Sequence, residues 1–152
     1  MIAIPNESRQ KIAEMRENED EILGNLKVMP KELSDELSRI VLVKLLPAFI
    51  EKDLQSFGEA LTAFNQKLGK FWRDYQGGTY CNEVVEEGVK IMLHKSSLAC
   101  QTSWGPTFYS IVKGKHEADK LAEELRRFLN KKGGGEVFVT QANNHGATIS
   151  EA

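Results

Sequence analysis

A chain of 152 residues and 17.1 kDa can bury one ordinary core and is too short for two full domains. With 41% hydrophobic and 28% charged residues it has the composition of a folded protein, which excludes a disordered chain. A net charge of −2 without a basic cluster excludes the electrostatic footprint of a nucleic-acid binder.

The longest apolar run, 40–50, is interrupted by Lys44 and is too short to cross a bilayer, so no membrane partner is expected. Polar residues follow Pro5 at once, unlike a secretory leader. Cys81 and Cys100 lie nineteen residues apart without metal-ligand spacing. They read as free buried thiols in a reducing, cytoplasmic setting, with no metal site.

In chain order, 2–5 reads as a short strand ended by Pro5. A charged helix over 8–23 follows, with Ile12, Met15, Ile22 and Leu23 apolar and Gly24 as its stop. Its acidic residues Glu14, Glu17, Glu19, Asp20 and Glu21 read as a solvated face. The most hydrophobic helix candidate, 31–51, is expected to be central, with a kink or break at Pro47. Asp53 caps a further helix whose stripe (Leu54, Phe57, Leu61, Phe64, Leu68, Phe71) is expected to pack in the core.

Asn82 opens a helix to His94 with Val85, Val89, Met92 and Leu93 inward. Segments 98–102 and 107–112 read as strands, 116–129 as an amphipathic helix and 136–140 as a strand; 147–149 is a candidate last strand. The second half of this order suits helices on one face of a largely antiparallel sheet, an α+β layout.

Three glycine segments compete for a ligand role. Gly133-Gly134-Gly135 follows a helix, where carbonyls rather than N–H groups are unsatisfied, so it reads as a helix stop and not as a phosphate loop. Gln76, Gly77 and Gly78 form either a flexible connector or a close-approach ligand loop with polar groups from Gln76 and Tyr80. Gln101, Thr102, Ser103, Trp104 and Gly105 form a tight turn that either closes a hairpin with Trp104 on the core or faces a ligand. His94, His116 and His145 are scattered and supply no catalytic set, and neither a Walker loop nor a dinucleotide-binding glycine pattern is present.

Five segments together carry a resemblance: 42–48 "LVKLLPA", 57–61 "FGEAL", 76–78 "QGG", 101–107 "QTSWGPT" and 135–140 "GEVFVT". Their order resembles the C-terminal half of the archaeal β-ribofuranosylaminobenzene 5'-phosphate synthases of the GHMP kinase superfamily. The resemblance implies a ferredoxin-like α+β domain over 1–152, with a multi-helix insertion after the first strand. The resemblance also implies that the superfamily's N-terminal phosphate-loop domain is absent from this chain. It further implies condensation of p-aminobenzoate with phosphoribosyl pyrophosphate, losing carbon dioxide and pyrophosphate on the way to methanopterin.

By the same resemblance Gln76, Gly77, Gly78, Gln101, Thr102, Ser103, Trp104 and Gly105 line a substrate cleft. Mg²⁺ is expected for the complete enzyme and no cofactor for this chain alone. Family members are about twice this long, so a separate N-terminal half is the expected partner, with a homo-oligomer when the chain is alone. A non-catalytic binding or assembly module is the alternative; a small-molecule kinase is weakest. The segment before the turn departs from the family's small residues, with Leu98, Ala99 and the bulkier Cys100 in place.

Overall fold

A computed structural model of the chain describes residues 1–6, 13, 17–147 and 149. Four short strands, β1 (Ile2–Pro5), β2 (Cys100–Gln101), β3 (Phe108–Tyr109) and β4 (Gly135–Phe138), form one sheet in the order β2-β3-β1-β4. Every pairing is antiparallel, with Ala3 opposite both Phe108 and Val137. Between β1 and β2 run α1 (Glu19–Gly24), α2 (Lys31–Ile40), a π-helical turn (Val41–Leu45), α3 (Leu46–Glu51), α4 (Leu54–Phe71), α5 (Arg73–Gln76) and α6 (Glu83–Leu93). A single helix, α7 (Lys115–Lys131), joins β3 to β4. This is the ferredoxin-like α+β arrangement with its helical insertion after the first strand.

The core forms where α6 and α7 cover one face of the sheet. Val85, Val89 and Met92 from α6 meet Leu121, Leu125 and Leu129 from α7 over Ala3 and Phe108, all buried. Asn82 caps α6 through a side-chain oxygen that accepts from Val85 N at 2.8 Å, and Asp53 caps α4 by accepting from Gln55 N and Ser56 N. Gly133 and Gly134 take positive φ and turn the chain into β4, the helix stop expected of them.

The β2 edge of the sheet is closed by α4. Thr62 Oγ1 accepts from Ala99 N at 3.1 Å and donates to Ser97 O at 3.2 Å. One turn on, Asn65 accepts from Gln101 N and donates to Gln101 O, each at 3.1 Å. Two side chains thus stand in for a neighbouring strand and leave this edge no template for pairing.

Several expectations are corrected. Helix 31–51 is not central: beyond the buried Leu37, Ile40 and Ala48 it exposes a ridge of Leu42, Val43, Leu46, Phe49 and Ile50. Pro47 does not break it either. The chain widens into the π turn, where Leu46 N bonds Val41 O, which eases the crowding that Pro47 imposes on the preceding turn.

The large stripe of α4 is only half-buried, and its buried positions are the small residues Gly58, Ala60, Thr62 and Gly69. Small residues lie inward because backbone approaches backbone there: a Cβ at Gly69 would strike the Thr79 carbonyl, and one at Gly58 the Ser97 hydroxyl. The strands at 98–102 and 107–112 shorten to two residues each. Of helix 8–23 the described residues are 13 and 17–23, with 19–23 in α1; Ser8, Ile12, Glu14 and Met15 lie outside the described residues, as does part of the candidate strand at 147–149.

Candidate functional site

A cleft of about 340 Å³ opens where the 101–107 turn meets α1, α4 and α5. Gln76, Gln101, Ser103 and Trp104 line it, so the structure brings together residues from two of the glycine segments. Gln76 is the last residue of α5, and Gly77 reverses the chain at φ 89°. Thr102, Gly77, Gly78 and Gly105 are not among its walls. The Thr102 hydroxyl donates to Thr107 O at 3.1 Å and closes the hairpin. Gly105 is buried at φ 78°, where a Cβ would lie 2.6 Å from Cys81 Sγ. Gly78 gives its carbonyl to Gln76 Nε2 at 3.0 Å.

Both glutamines are buried and engaged. Gln101 Oε1 accepts from Cys81 N at 2.7 Å, which forces its Nε2 toward Gln76 Oε1 at 3.0 Å and Ser103 O at 2.9 Å. Gln76 Nε2 in turn donates to Thr79 O at 2.8 Å and Gly78 O at 3.0 Å. The pair holds the 76–81 segment against the turn and forms a rigid polar floor to the cleft.

The other wall is aromatic. Trp72 and Trp104 meet edge to face with centroids 4.7 Å apart, and Tyr75 meets Trp72 in the same way at 5.7 Å. Trp104 therefore does both things the turn could do: it is half-buried against the core and presents its indole to the cleft. Its Nε1 donates to Glu19 Oε1 at 3.0 Å. Glu19 is thus a wall of the cleft and not part of a purely solvated acidic face.

Sequence reasoning missed Glu19, Asn65, Trp72 and Thr79. For Asn65 a signal exists, a polar pair with Thr62 on one face of a helix; for Trp72 it is the aromatic cluster Phe71, Trp72 and Tyr75 just past that helix. Among the described residues no three His, Cys, Asp or Glu side chains come together to hold a metal. No helix among them is long and apolar enough to cross a membrane.

Cys100 does not narrow the cleft, because its side chain turns under α4 toward Leu61 O, 3.7 Å from Sγ. Burial pushes its thiol from 9.0 up to about 11, and burial followed by the neighbouring Cys100 pushes Tyr109 from 10.0 up to about 12. The unfolded chain releases these protons first, so stability present below about pH 9 should fall as pH rises toward about 11. Urea midpoints measured across that window on the wild-type chain and on Cys100→Ala check it: the fall should be shallower in the variant.

Comparison with known proteins gives the chain's family. Residues 45–131 match the family model described as GHMP kinases C terminal. A β-ribofuranosylphenol 5'-phosphate synthase from Methanocaldococcus jannaschii is 32% identical over 126 residues, covering 80% of this chain and 34% of that protein. One of the same name from Archaeoglobus fulgidus is 32% identical over 122 residues, covering 80% and 36%. A third, from Methanothermobacter thermautotrophicus, is 28% identical over 124 residues, covering 78% and 34%. The chain spans about a third of the length of the curated relatives it matches. No solved structure matches it significantly.

Proposed function

Since this chain belongs to the GHMP kinase C-terminal family, we propose that it supplies the aromatic-acceptor wall of a ribofuranosyl 5'-phosphate synthase like those its archaeal relatives are named for. The observation that carries this reading is the cleft itself. A slot of about 340 Å³ with two indoles on one wall and an amide floor has the size and chemistry for one substituted benzene ring.

The acceptor would be p-aminobenzoate or its hydroxyl counterpart, the latter matching the phenol in the relatives' names. In either ring the para substituent donates electrons to the carbon that bears the carboxylate. That carbon forms a bond to ribose C1 of phosphoribosyl pyrophosphate. The C1–oxygen bond breaks with its electron pair leaving on pyrophosphate. The ring–carboxylate bond then breaks, its electrons restore aromaticity, and carbon dioxide departs.

Positive character on the sugar lies next to a π-rich ring held by Trp72 and Trp104, and an apolar wall excludes the water that would compete for C1. Gln76 and Gln101 act by holding the floor in place. Phosphate and pyrophosphate recognition, with any Mg²⁺, would belong to a separate N-terminal half, and the pair would act in a cytoplasmic pathway to methanopterin.

The ridge of Leu42, Val43, Leu46, Phe49 and Ile50, with Ile50 75% exposed, supports a partner-bound state. Without the other half, the ridge is expected to bury itself against a second copy. A monomer mass by light scattering of the isolated chain would contradict this.

The deciding experiment co-expresses this chain with an N-terminal half and measures carbon dioxide release from carboxyl-labelled p-aminobenzoate and from p-hydroxybenzoate. Release that requires both polypeptides supports the reading; a stable complex with no release sinks it. One observation favours a non-catalytic assembly module instead: the amides of Gln76 and Gln101 are spent on internal hydrogen bonds.

A further inference from the structure

The hydrogen bond from Trp104 Nε1 to Glu19 Oε1 spans 85 positions of sequence and lies inside the cleft. Glu19 is the only charged side chain among the described residues that line it. We infer that Trp104 Nε1 is a carboxylate subsite for an aromatic acid, and that Glu19 occupies it until such a ligand displaces it.

Indole N–H is a donor with no acceptor capacity, and its bond to an ionised oxygen is stronger than to a neutral one. Beside it stand the faces and edges of Trp72 and Trp104, which accept a flat ring. A carboxylate next to a benzene ring matches both features at once. Acetate lacks the ring, and benzamide lacks the charge.

Two carboxylates cannot share this donor. Among the described lining residues none carries a positive charge, so nothing among them offsets the repulsion between an incoming acid and Glu19 at close range. Binding is therefore an exchange, and the ligand's apparent affinity is reduced by the fraction of chains in which Glu19 is seated.

Glu19 is placed to leave at low cost. Its helix, α1, buries none of its six residues. The segment that follows is tethered at Lys27, whose backbone N donates to Tyr75 Oη at 3.0 Å and whose Nζ reaches Asp74 at 2.9 Å. α1 can swing about that tether while the aromatic wall stays in place.

This inference rests on the reading of the cleft as the acceptor-ring site and adds what grips the ring. The carboxylate is bonded to the carbon that attacks ribose C1, so a donor that fixes the carboxylate also fixes the reacting carbon.

The test uses the intrinsic fluorescence of Trp72 and Trp104, the two tryptophans of the chain. Benzoate, benzamide and acetate are titrated into the wild-type chain, Glu19→Ala, Glu19→Gln and Trp104→Phe. Removing a competing charged hydrogen bond should raise benzoate affinity about tenfold in Glu19→Ala. Glu19→Gln should move the same way, benzamide should change little, and acetate should bind weakly throughout. Trp104→Phe, with folding checked by circular dichroism, should lose the preference for benzoate over benzamide.

Equal benzoate affinity in wild type and both Glu19 variants would overturn the subsite, as would benzamide gaining as much as benzoate, or no benzoate binding to any variant. A catalytic pair that turns over while Glu19→Ala binds benzoate no better sinks the subsite alone. Glu19-dependent benzoate binding without turnover by the pair sinks the synthase reading alone.

Discussion

Gln101→Ala is expected to lower the unfolding free energy by about 3 kcal/mol, the largest single loss among the residues of the cleft. The side chain is 5% exposed and uses all its near polar partners. Its removal strands the Cys81 N–H, the Gln76 Oε1 and the Ser103 carbonyl together, and the first two of these are buried. A buried group that loses its partner costs about 1–3 kcal/mol, while a group that reaches water costs little, which sets the total.

For a chain of this length the melting temperature should fall by about 10 °C. Gln101→Glu tests orientation as well: one carboxylate oxygen can still accept from Cys81, but the other would face two oxygens and repel both. It should be no more stable than the alanine variant. If Gln101→Ala unfolds like the wild type, the paired amides are not the floor of the cleft and their direct use by a ligand becomes the better reading.

That distinction was out of reach of the sequence. Gln76 and Gln101 were singled out as polar groups at glycine turns, yet their mutual hydrogen bond spans 25 positions and obeys no local pattern. The Glu19–Trp104 contact is longer still. What local physics controls was legible: the caps at Asp53 and Asn82, the inward faces of α6 and α7, and the glycine stop after α7 follow from periodicity and capping alone.

The ridge at Leu42–Ile50 shows where periodicity misleads. An apolar face announces that something covers it, and cannot say whether the cover is the chain's own core or another surface. The same face carries "LVKLLPA", one of the segments that resembles the synthases. Part of the likeness therefore lies on the exterior of this domain, and part in the turn at the cleft. A likeness divided between a cleft and an open apolar ridge fits a lobe that meets another body better than one that completes its own site.

Gly88→Ala is the second large effect, and it sets two rules against each other. Helix propensity alone predicts stabilisation by about 1 kcal/mol, since glycine within a helix is costly. Packing predicts the reverse. Gly88 faces the sheet from the middle of α6, and a Cβ there would overlap the Phe108 ring, with one ring carbon at 2.6 Å and another at 3.2 Å. Phe108 is fully buried and sits in the central strand pair opposite Ala3, so the ring has no empty space to enter.

Overpacking of this kind costs about 1–3 kcal/mol, and the rigid surroundings place it at the upper end, for a net loss of about 2 kcal/mol after the propensity gain. Phe108→Leu removes the overlapping ring atoms. In the Gly88→Ala background it should cost at least 1 kcal/mol less than in the wild type, roughly the coupling of a contacting pair. Urea denaturation of the four proteins measures this cycle. Additive losses, or a Gly88→Ala variant more stable than wild type, would mean that α6 does not lie on Phe108 at glycine distance, and the sheet could not hold the turn where the cleft requires it.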